Sequence, residues 1–147
     1  MHFYGNQSHS DIEQKSHLPL SSGIMDPCIK LIFNLEIIGC PIVREADGLA
    51  KSSRNTYLSK EEREAALVLS QTIKLGQKMV EDGEKDGEKL VEAMKANIEK
   101  EPLAKIDYVK IVDGLTMQQI KEVKAPALVA MAVYIGKTRL IDNFYID

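Results

Sequence analysis

The stretch ALVAMAVYIGKTRLID, residues 127–142, decides the fold that we predict for this chain. A mostly apolar run over residues 127–135 is followed by Gly136-Lys137 and then by a second run over residues 138–142. Two such runs around a two-residue turn that contains glycine are typical of a β-hairpin. The sequence therefore predicts two antiparallel strands that meet at Gly136-Lys137.

A third strand is predicted upstream of the hairpin, over residues 106–112. Val109 and Ile111 lie two positions apart and so share one face of this strand, with Tyr108 on the other. Asp113-Gly114 is expected to turn the chain after the strand. Thr116 is expected to cap a short helix over residues 116–121, which leads towards the hairpin.

Two long helices are predicted before this third strand. Ser59-Lys60-Glu61-Glu62 has the pattern of a capping box, and the helix is expected to run over residues 60–80. A second helix over residues 88–100 has apolar side chains four positions apart, at Leu90, Met94 and Ile98. Together these signals predict an α+β fold: a small three-stranded antiparallel sheet packed with two long helices and a short helix.

Composition limits the class of protein. The 147 residues are 44% hydrophobic and 28% charged, which is typical of a soluble globular protein. The net charge of -3 argues against a general nucleic-acid binder, because the phosphate backbone is bound by basic domains. No apolar run approaches the ~20 residues that span a bilayer, and two cysteines are too few for a disulfide scaffold or a zinc site. We expect a cytoplasmic protein without a nucleic-acid or membrane partner.

The stretch GLAKSSRN, residues 48–55, has the chemistry of an anion-binding loop. Its two serines donate hydrogen bonds, Lys51 supplies a mobile positive charge, and Arg54 offers a planar fork that matches two oxygens. Basic side chains and loop N–H groups that converge in this way are a recurring cradle for phosphate. On local chemistry alone, a solvated loop that caps a helix is the alternative.

Two stretches of the chain resemble the pantoate-beta-alanine ligase (pantothenate synthetase) family. GCPIVREADGLAKSSRNTYL, residues 39–58, is similar to the nucleotide-loop signature of that family, and GKTRLIDN, residues 136–143, is similar to its closing hairpin. The resemblance covers roughly residues 35–147. It implies formation of pantothenate from pantoate, beta-alanine and ATP, with Mg2+, through an enzyme-bound pantoyl adenylate, and release of AMP and pyrophosphate.

The resemblance also implies roles for individual residues. Val43 would line the nucleotide pocket, and Lys51, Ser52, Ser53 and Arg54 would contact ATP, as the KMSKS-like loop does in the wider superfamily. In the family that the chain resembles, the usual residue at the position of Lys51 is apolar, often Met or Leu. The two serines and Arg54 therefore carry the resemblance more directly than Lys51 does.

A part of the family pattern is missing from this chain. The family's N-terminal nucleotide-binding domain carries an HxGH motif, whereas the histidines here are His2, His9 and His17, and none lies in such a motif. We expect no catalytic residue and no metal site in this chain, and no activity from it alone. Its expected partners are ATP, pantoate and beta-alanine in the full enzyme, and the missing N-terminal domain. A homodimer is left open.

Composition and the resemblance suggest three segments. Residues 1–33 are expected to be a foreign or disordered leader, because the first 22 are mostly polar and cannot offset the entropy of ordering. Residues 34–58 would hold the last strand of the missing domain, Leu35 to Ile38, and the ATP loop. Residues 59–147 would form a C-terminal lid domain. The alternative function is a non-catalytic α+β module for interaction or oligomerisation, in which the loop is only structural.

Overall fold

The computed structural model describes residues 40–147 of the chain. In order, it places a 3₁₀ helix at Ser53–Tyr57, then helices α1 (Lys60–Ala65), α2 (Leu67–Glu81) and α3 (Gly87–Ile98), and strands β1 (Ala104–Asp113), β2 (Ala127–Ile135) and β3 (Thr138–Ile146). The leader predicted over residues 1–33 and the strand predicted over residues 35–38 lie outside the described residues.

The three strands form one antiparallel sheet, as predicted, and their order in the sheet is β1-β2-β3. The hairpin turn lies at Gly136-Lys137, with Ile135 opposite Thr138. β3 continues past the predicted end at Asp142, and Phe144 is again buried on the core face. Asp142 lies on the same buried face of β3. A buried carboxylate is costly unless it has a partner, and Arg44 is the partner of Asp142.

One face of the sheet packs against α2 and α3 to form the core. The core face of β2 carries every second residue, Ala127, Val129, Met131, Val133 and Ile135, and Ala132 is buried as well. The buried apolar side chains of α3 are spaced by four: Leu90, Met94 and Ile98. The spacing in α3 matches the prediction, and the α+β fold is confirmed. None of the helices in residues 40–147 is both long and apolar enough to cross a membrane.

The first predicted helix is divided into two segments at Ala66. The Ser59 hydroxyl accepts a hydrogen bond from the Glu62 N–H at 3.2 Å, and the Glu62 carboxylate accepts one from the Ser59 N–H at 2.9 Å. The predicted capping box is therefore confirmed.

Helix α3 begins at Gly87, where the Asp86 carboxylate accepts hydrogen bonds from two N–H groups of the first turn.

The short helix predicted over residues 116–121 is absent from the structure, so this prediction is wrong. The Asp113 carboxylate accepts hydrogen bonds from the N–H and the hydroxyl of Thr116, at 2.7 and 2.9 Å. Thr116 is thus held in a turn, and although its hydroxyl also accepts from the Gln118 N–H at 3.4 Å, no helix follows. Met117 follows with φ of 58°, which is incompatible with a right-handed helix. The Asp113 N–H then donates to the Gln118 carbonyl at 2.9 Å and brings the segment back beside β1.

Candidate phosphate-binding site

A small hairpin opens the candidate site. The Lys51 N–H donates to the Val43 carbonyl at 2.8 Å, and the Glu45 N–H donates to the Leu49 carbonyl at 2.8 Å. Gly48 closes the turn with φ of 94°, a conformation that costs little only for glycine. Leu49 is 2% exposed and fixes the hairpin in the core. We call residues 43–58 the loop segment.

An ion pair joins the loop segment to the sheet. Arg44 Nη1 and Nη2 donate to the two carboxylate oxygens of Asp142 at 2.8 and 3.0 Å. The same Nη1 also donates to the Gly48 carbonyl at 3.1 Å. The Asp142 side chain is 0% exposed, and its hydrogen bonds with Arg44 raise the pKa of the guanidinium above its usual value. Because Arg44 compensates its charge, Asp142 is accommodated at a buried position within β3.

A second ion pair joins the loop segment to α1. Arg63 Nη2 lies 2.9 Å from Glu45 Oε2 and 2.7 Å from Asp47 Oδ2. Glu45 also accepts from Asn55 Nδ2 at 2.9 Å, and Asn55 Nδ2 reaches the Ala50 carbonyl at 3.1 Å. The hydrogen bonds from Asn55 and Arg63 lower the pKa of Glu45. Glu45 is therefore ionised at neutral pH and links three parts of the site.

The 3₁₀ helix presents the polar residues that the sequence singled out. The Ser52 hydroxyl accepts from the Arg54 N–H at 3.2 Å and so caps the helix. Lys51, Ser52, Ser53 and Arg54 are all exposed. Short 3₁₀ turns of this kind are common connectors before an α-helix, and α1 follows within three residues.

Within residues 40–147, Lys51 and Arg54 differ from the nearby arginines in having no polar side-chain partner. Within residues 40–147, the side chains of Lys51 and Arg54 make no hydrogen bond or ion pair. Arg44, Arg63 and Arg139, in contrast, are paired with carboxylates. The charges of Lys51 and Arg54 are thus available to an anion, whereas the paired arginines have structural partners.

Two cavities meet at these residues. A wide, open one of about 610 Å³ is lined by Lys51, Ser52 and Ser53, together with Glu45, Asn55, Thr56 and Arg63. A narrower one of about 250 Å³ lies between Lys51, Ser52 and Arg54 on one side and residues 139–143 of β3 on the other. The structure therefore brings the four predicted ATP contacts together. Val43 lines neither cavity, and its side chain is 65% exposed.

Sequence reasoning missed the residues that hold the loop segment in place. Arg44 and Asp142 both lie inside the stretches that carried the family resemblance, but they are 98 positions apart and no local pattern pairs them. Arg63 lies on the solvated side of a predicted helix, where a charge is ordinary. One signal was present in the sequence: Asp142 occupies the position between Leu140 and Phe144 on the same face of a strand, where a charge requires a partner.

Within residues 40–147 there is no group of three or more His, Cys, Asp or Glu side chains placed to hold a metal ion. The two loop carboxylates, Glu45 and Asp47, are already engaged by Arg63. In the described part of the site, the cations Lys51 and Arg54 and the serine hydroxyls suit an anion, and the carboxylates Glu45 and Asp142 that line its cavities are held by arginines.

Comparison with known proteins gives consistent matches. The family model described as Pantoate-beta-alanine ligase matches residues 24–145. Pantothenate synthetase of Clostridium botulinum strain Langeland is 58% identical over 114 residues, which is 78% of this chain and 41% of the relative. That of Ruminiclostridium cellulolyticum is 60% identical over 114 residues, with the same shares of 78% and 41%.

A solved structure also matches. The crystal structure of pantothenate synthetase from Thermus thermophilus has a TM-score of 0.69 and 35% sequence identity, and the match covers 74% of this chain and 39% of that one. The chain thus spans about 41% of the length of the curated relatives that it matches.

Proposed function

The chain belongs to the pantoate-beta-alanine ligase family, and on that premise we propose that it supplies the ATP-binding loop of a ligase that joins pantoate and beta-alanine to give pantothenate, AMP and pyrophosphate. The relatives are more than twice as long as their matched region. The proposal is therefore that this part acts with a nucleotide-binding domain of the kind found in the family, and that alone it is inactive.

One observation carries the proposal: Lys51 and Arg54 have no partner within the described residues, although every arginine around them does. An unpaired cation beside serine hydroxyls is a favourable place for a phosphate, because hydrogen bonds between ionised groups are about twice as strong as neutral ones. The narrow cavity of about 250 Å³ is smaller than the ~300–1,000 Å³ that hold whole ligands. It suits a polyphosphate chain better than an entire nucleotide.

The proposed chemistry follows from these charges. An oxygen of the pantoate carboxylate attacks the α-phosphorus of ATP, and the bond from the α-phosphorus to the bridging oxygen breaks, so that pyrophosphate leaves with the electron pair. Lys51 and Arg54 stabilise the negative charge that grows on the leaving group, and Ser52 and Ser53 orient its oxygens. Mg2+ enters as part of the ATP complex. The amine of beta-alanine then attacks the acyl carbon of the adenylate and displaces AMP.

The segments have distinct proposed roles. The loop segment holds the phosphates, with Val43 near the nucleotide. Residues 59–147 form a lid domain whose closure excludes water from an adenylate that water would hydrolyse. The buried side chain of Leu49 and the ion pairs Arg44–Asp142 and Arg63–Glu45 attach the loop segment to this domain, so the loop and the lid would move together.

Reconstitution tests the proposal. This chain is mixed with the part of the Clostridium botulinum relative outside the matched region, and formation of AMP and pantothenate is assayed. We expect activity only from the mixture, and a loss of about tenfold or more with Arg54→Ala, from the loss of charge-assisted hydrogen bonds. Lys78→Ala is the matched control, since it removes an exposed positive charge from α2. An active pair that is insensitive to Arg54→Ala would overturn the proposal.

A second candidate function is an interaction module without catalysis. It is favoured by apolar side chains on β3, where Ile141 is 52% and Tyr145 43% exposed. Sedimentation at increasing concentration would test it. A chain that remains monomeric at high concentration would count against self-association through this strand.

A further inference from the structure

We propose that Arg44 and Asp142 are positioning residues for the anion site: their ion pair sets where Lys51 and Arg54 stand relative to β3. The ligand that we assign to those cations rests on the proposed function. The geometric part of the inference does not, because it concerns how the loop segment is held in the chain itself.

The first support is the geometry of the pair. Both terminal nitrogens of Arg44 meet both oxygens of Asp142, at 2.8 and 3.0 Å, which fixes the guanidinium plane as well as its distance. Asp142 Oδ1 also accepts from the Asn143 N–H at 2.9 Å. The buried carboxylate is thus held by side-chain and backbone donors, and a rigid acceptor of this kind is suited to fixing another group.

The second support is that Arg44 holds the backbone of its own turn. Its Nη1 donates to the Gly48 carbonyl at 3.1 Å while also contacting Asp142. Lys51 follows three residues later, and its N–H is bonded to the Val43 carbonyl beside Arg44. The position of the guanidinium therefore determines the position of both arms of the hairpin from which Lys51 extends.

The third support is that, among the described residues, no other polar contact connects the loop segment to the sheet. In the described part of the chain, the Arg44–Asp142 pair provides the only hydrogen bonds between the loop segment and any strand of the sheet. Leu49 supplies an apolar contact with the core, but such contacts are non-directional. Direction and register between the loop and β3 depend on the ion pair.

The negative charge of Asp142 makes it possible to separate positioning from electrostatic repulsion, because the two predict opposite changes in anion affinity. Asp142 lines the same narrow cavity as Lys51 and Arg54. By electrostatics alone, a negative charge there repels a phosphate, and its removal would strengthen anion binding. If the carboxylate instead holds the loop in place, its removal weakens anion binding. The two accounts predict opposite effects for Asp142→Asn, which keeps the size of the side chain and removes its charge.

The experiment has two readouts on the 147-residue chain. Amide hydrogen exchange is followed at Glu45, Gly48 and Lys51, and inorganic pyrophosphate binding is followed by chemical-shift titration. For Asp142→Asn we expect exchange about tenfold faster at these three amides, unchanged protection in β2, and pyrophosphate affinity about tenfold weaker, in line with the loss of a charged hydrogen bond. Protected loop amides with equal or tighter pyrophosphate binding would overturn the proposal.

Asp107→Asn is the matched control. It removes the same charge from the partner of Arg139, which lines the same cavity, but within the described residues Asp107 makes no hydrogen bond or ion pair with the loop segment. We expect unchanged loop exchange and pyrophosphate binding that is equal or tighter. A loss of affinity similar to that of Asp142→Asn would overturn positioning.

Arg44→Lys covers the case in which Asp142→Asn does not fold. It keeps the positive charge and loses the planar fork, so it cannot hold Asp142 in two places and Gly48 as well. We expect the same faster loop exchange and weaker pyrophosphate binding. If the wild-type chain binds no pyrophosphate, the assignment of an anion to Lys51 and Arg54 of this chain alone is contradicted, while the exchange readout still decides whether the pair positions the loop and reconstitution still tests the proposed function.

Discussion

Arg63 Nη2 lies 2.7 Å from Asp47 Oδ2, and the same nitrogen lies 2.9 Å from Glu45 Oε2. One side chain of α1 therefore holds both carboxylates of the turn that begins the loop segment. Arg63 immediately follows Glu62 of the capping box, so the start of the helix and the loop turn are fixed to each other. A displacement of the helix start or of the loop turn would therefore also move Lys51 and Arg54.

The first prediction concerns the pKa of Glu45. Asn55 and Arg63 both lower it by hydrogen bonding, with Asn55 the larger cause, so the link that Glu45 makes is complete above the ordinary value of 4.5 and is lost as pH falls through the lower folded value. Asn55→Ala and Arg63→Ala should each raise this pKa, the former more. Carboxyl chemical shifts followed against pH measure the change.

Glu61 is the internal control for that titration. Its pKa is lowered by its own N–H and by the Ser59 hydroxyl, and neither involves the loop turn. The pKa of Glu61 should therefore stay in place in both variants. An unchanged Glu45 pKa in both variants would contradict the hydrogen bonds that the structure assigns to Asn55 and Arg63.

The fold was predictable because its signals are local. The apolar run of β2, the four-residue spacing in α3 and the turn at Gly136-Lys137 each fall within one short window. The wrong prediction, a helix starting at Thr116, had the same local basis. It failed because the Asp113 carboxylate holds the Thr116 N–H in a turn and Met117, with φ of 58°, leaves the right-handed helical region. Turn chemistry of this kind competes with helix capping for the same side chains.

The site was predictable only in part. The donor-rich string around Lys51 and Arg54 indicates an anion, and the structure brings these residues together, but which residues hold them in place depends on contacts across the fold. Arg44 and Asp142 illustrate this, since their partnership exists only once β3 lies beside the loop segment. The ATP contacts themselves stay a prediction.

The second prediction concerns the capping box at the start of α1. Ser59→Ala removes the acceptor for the Glu62 N–H and should lower the free energy of unfolding by about 0.5–2 kcal/mol. Ser59→Asp keeps an acceptor at the same place and should be close to wild type. Urea unfolding followed by circular dichroism measures both. Equal losses in the two variants would show that the acceptor is not what Ser59 contributes.

The third prediction concerns the core. Leu90 of α3 is 0% exposed, so Leu90→Ala should lower the free energy of unfolding by about 2–5 kcal/mol, through lost burial and the cavity that is left. The neighbouring Val91 is only half-buried, and Val91→Ala should cost clearly less. Thermal unfolding of both variants tests the packing of α3 against the sheet. Similar losses at the two positions would contradict it.

The last prediction links the hairpin turn to the capping box. Gly136 has φ of 56°, and a Cβ added there would meet the Glu62 carboxylate. Gly136→Ala should therefore cost the roughly 1–2 kcal/mol of a left-handed backbone and also displace Glu62 from the Ser59 N–H. Gly83→Ala is the control, because Gly83 has φ of 94° and none of the described residues has an atom within 4 Å of the added carbon, so it isolates the backbone cost. Adding Glu62→Ala should recover the excess loss in the Gly136 variant and nothing in the Gly83 variant, measured as a double-mutant cycle in urea. Strict additivity at Gly136 would contradict the contact.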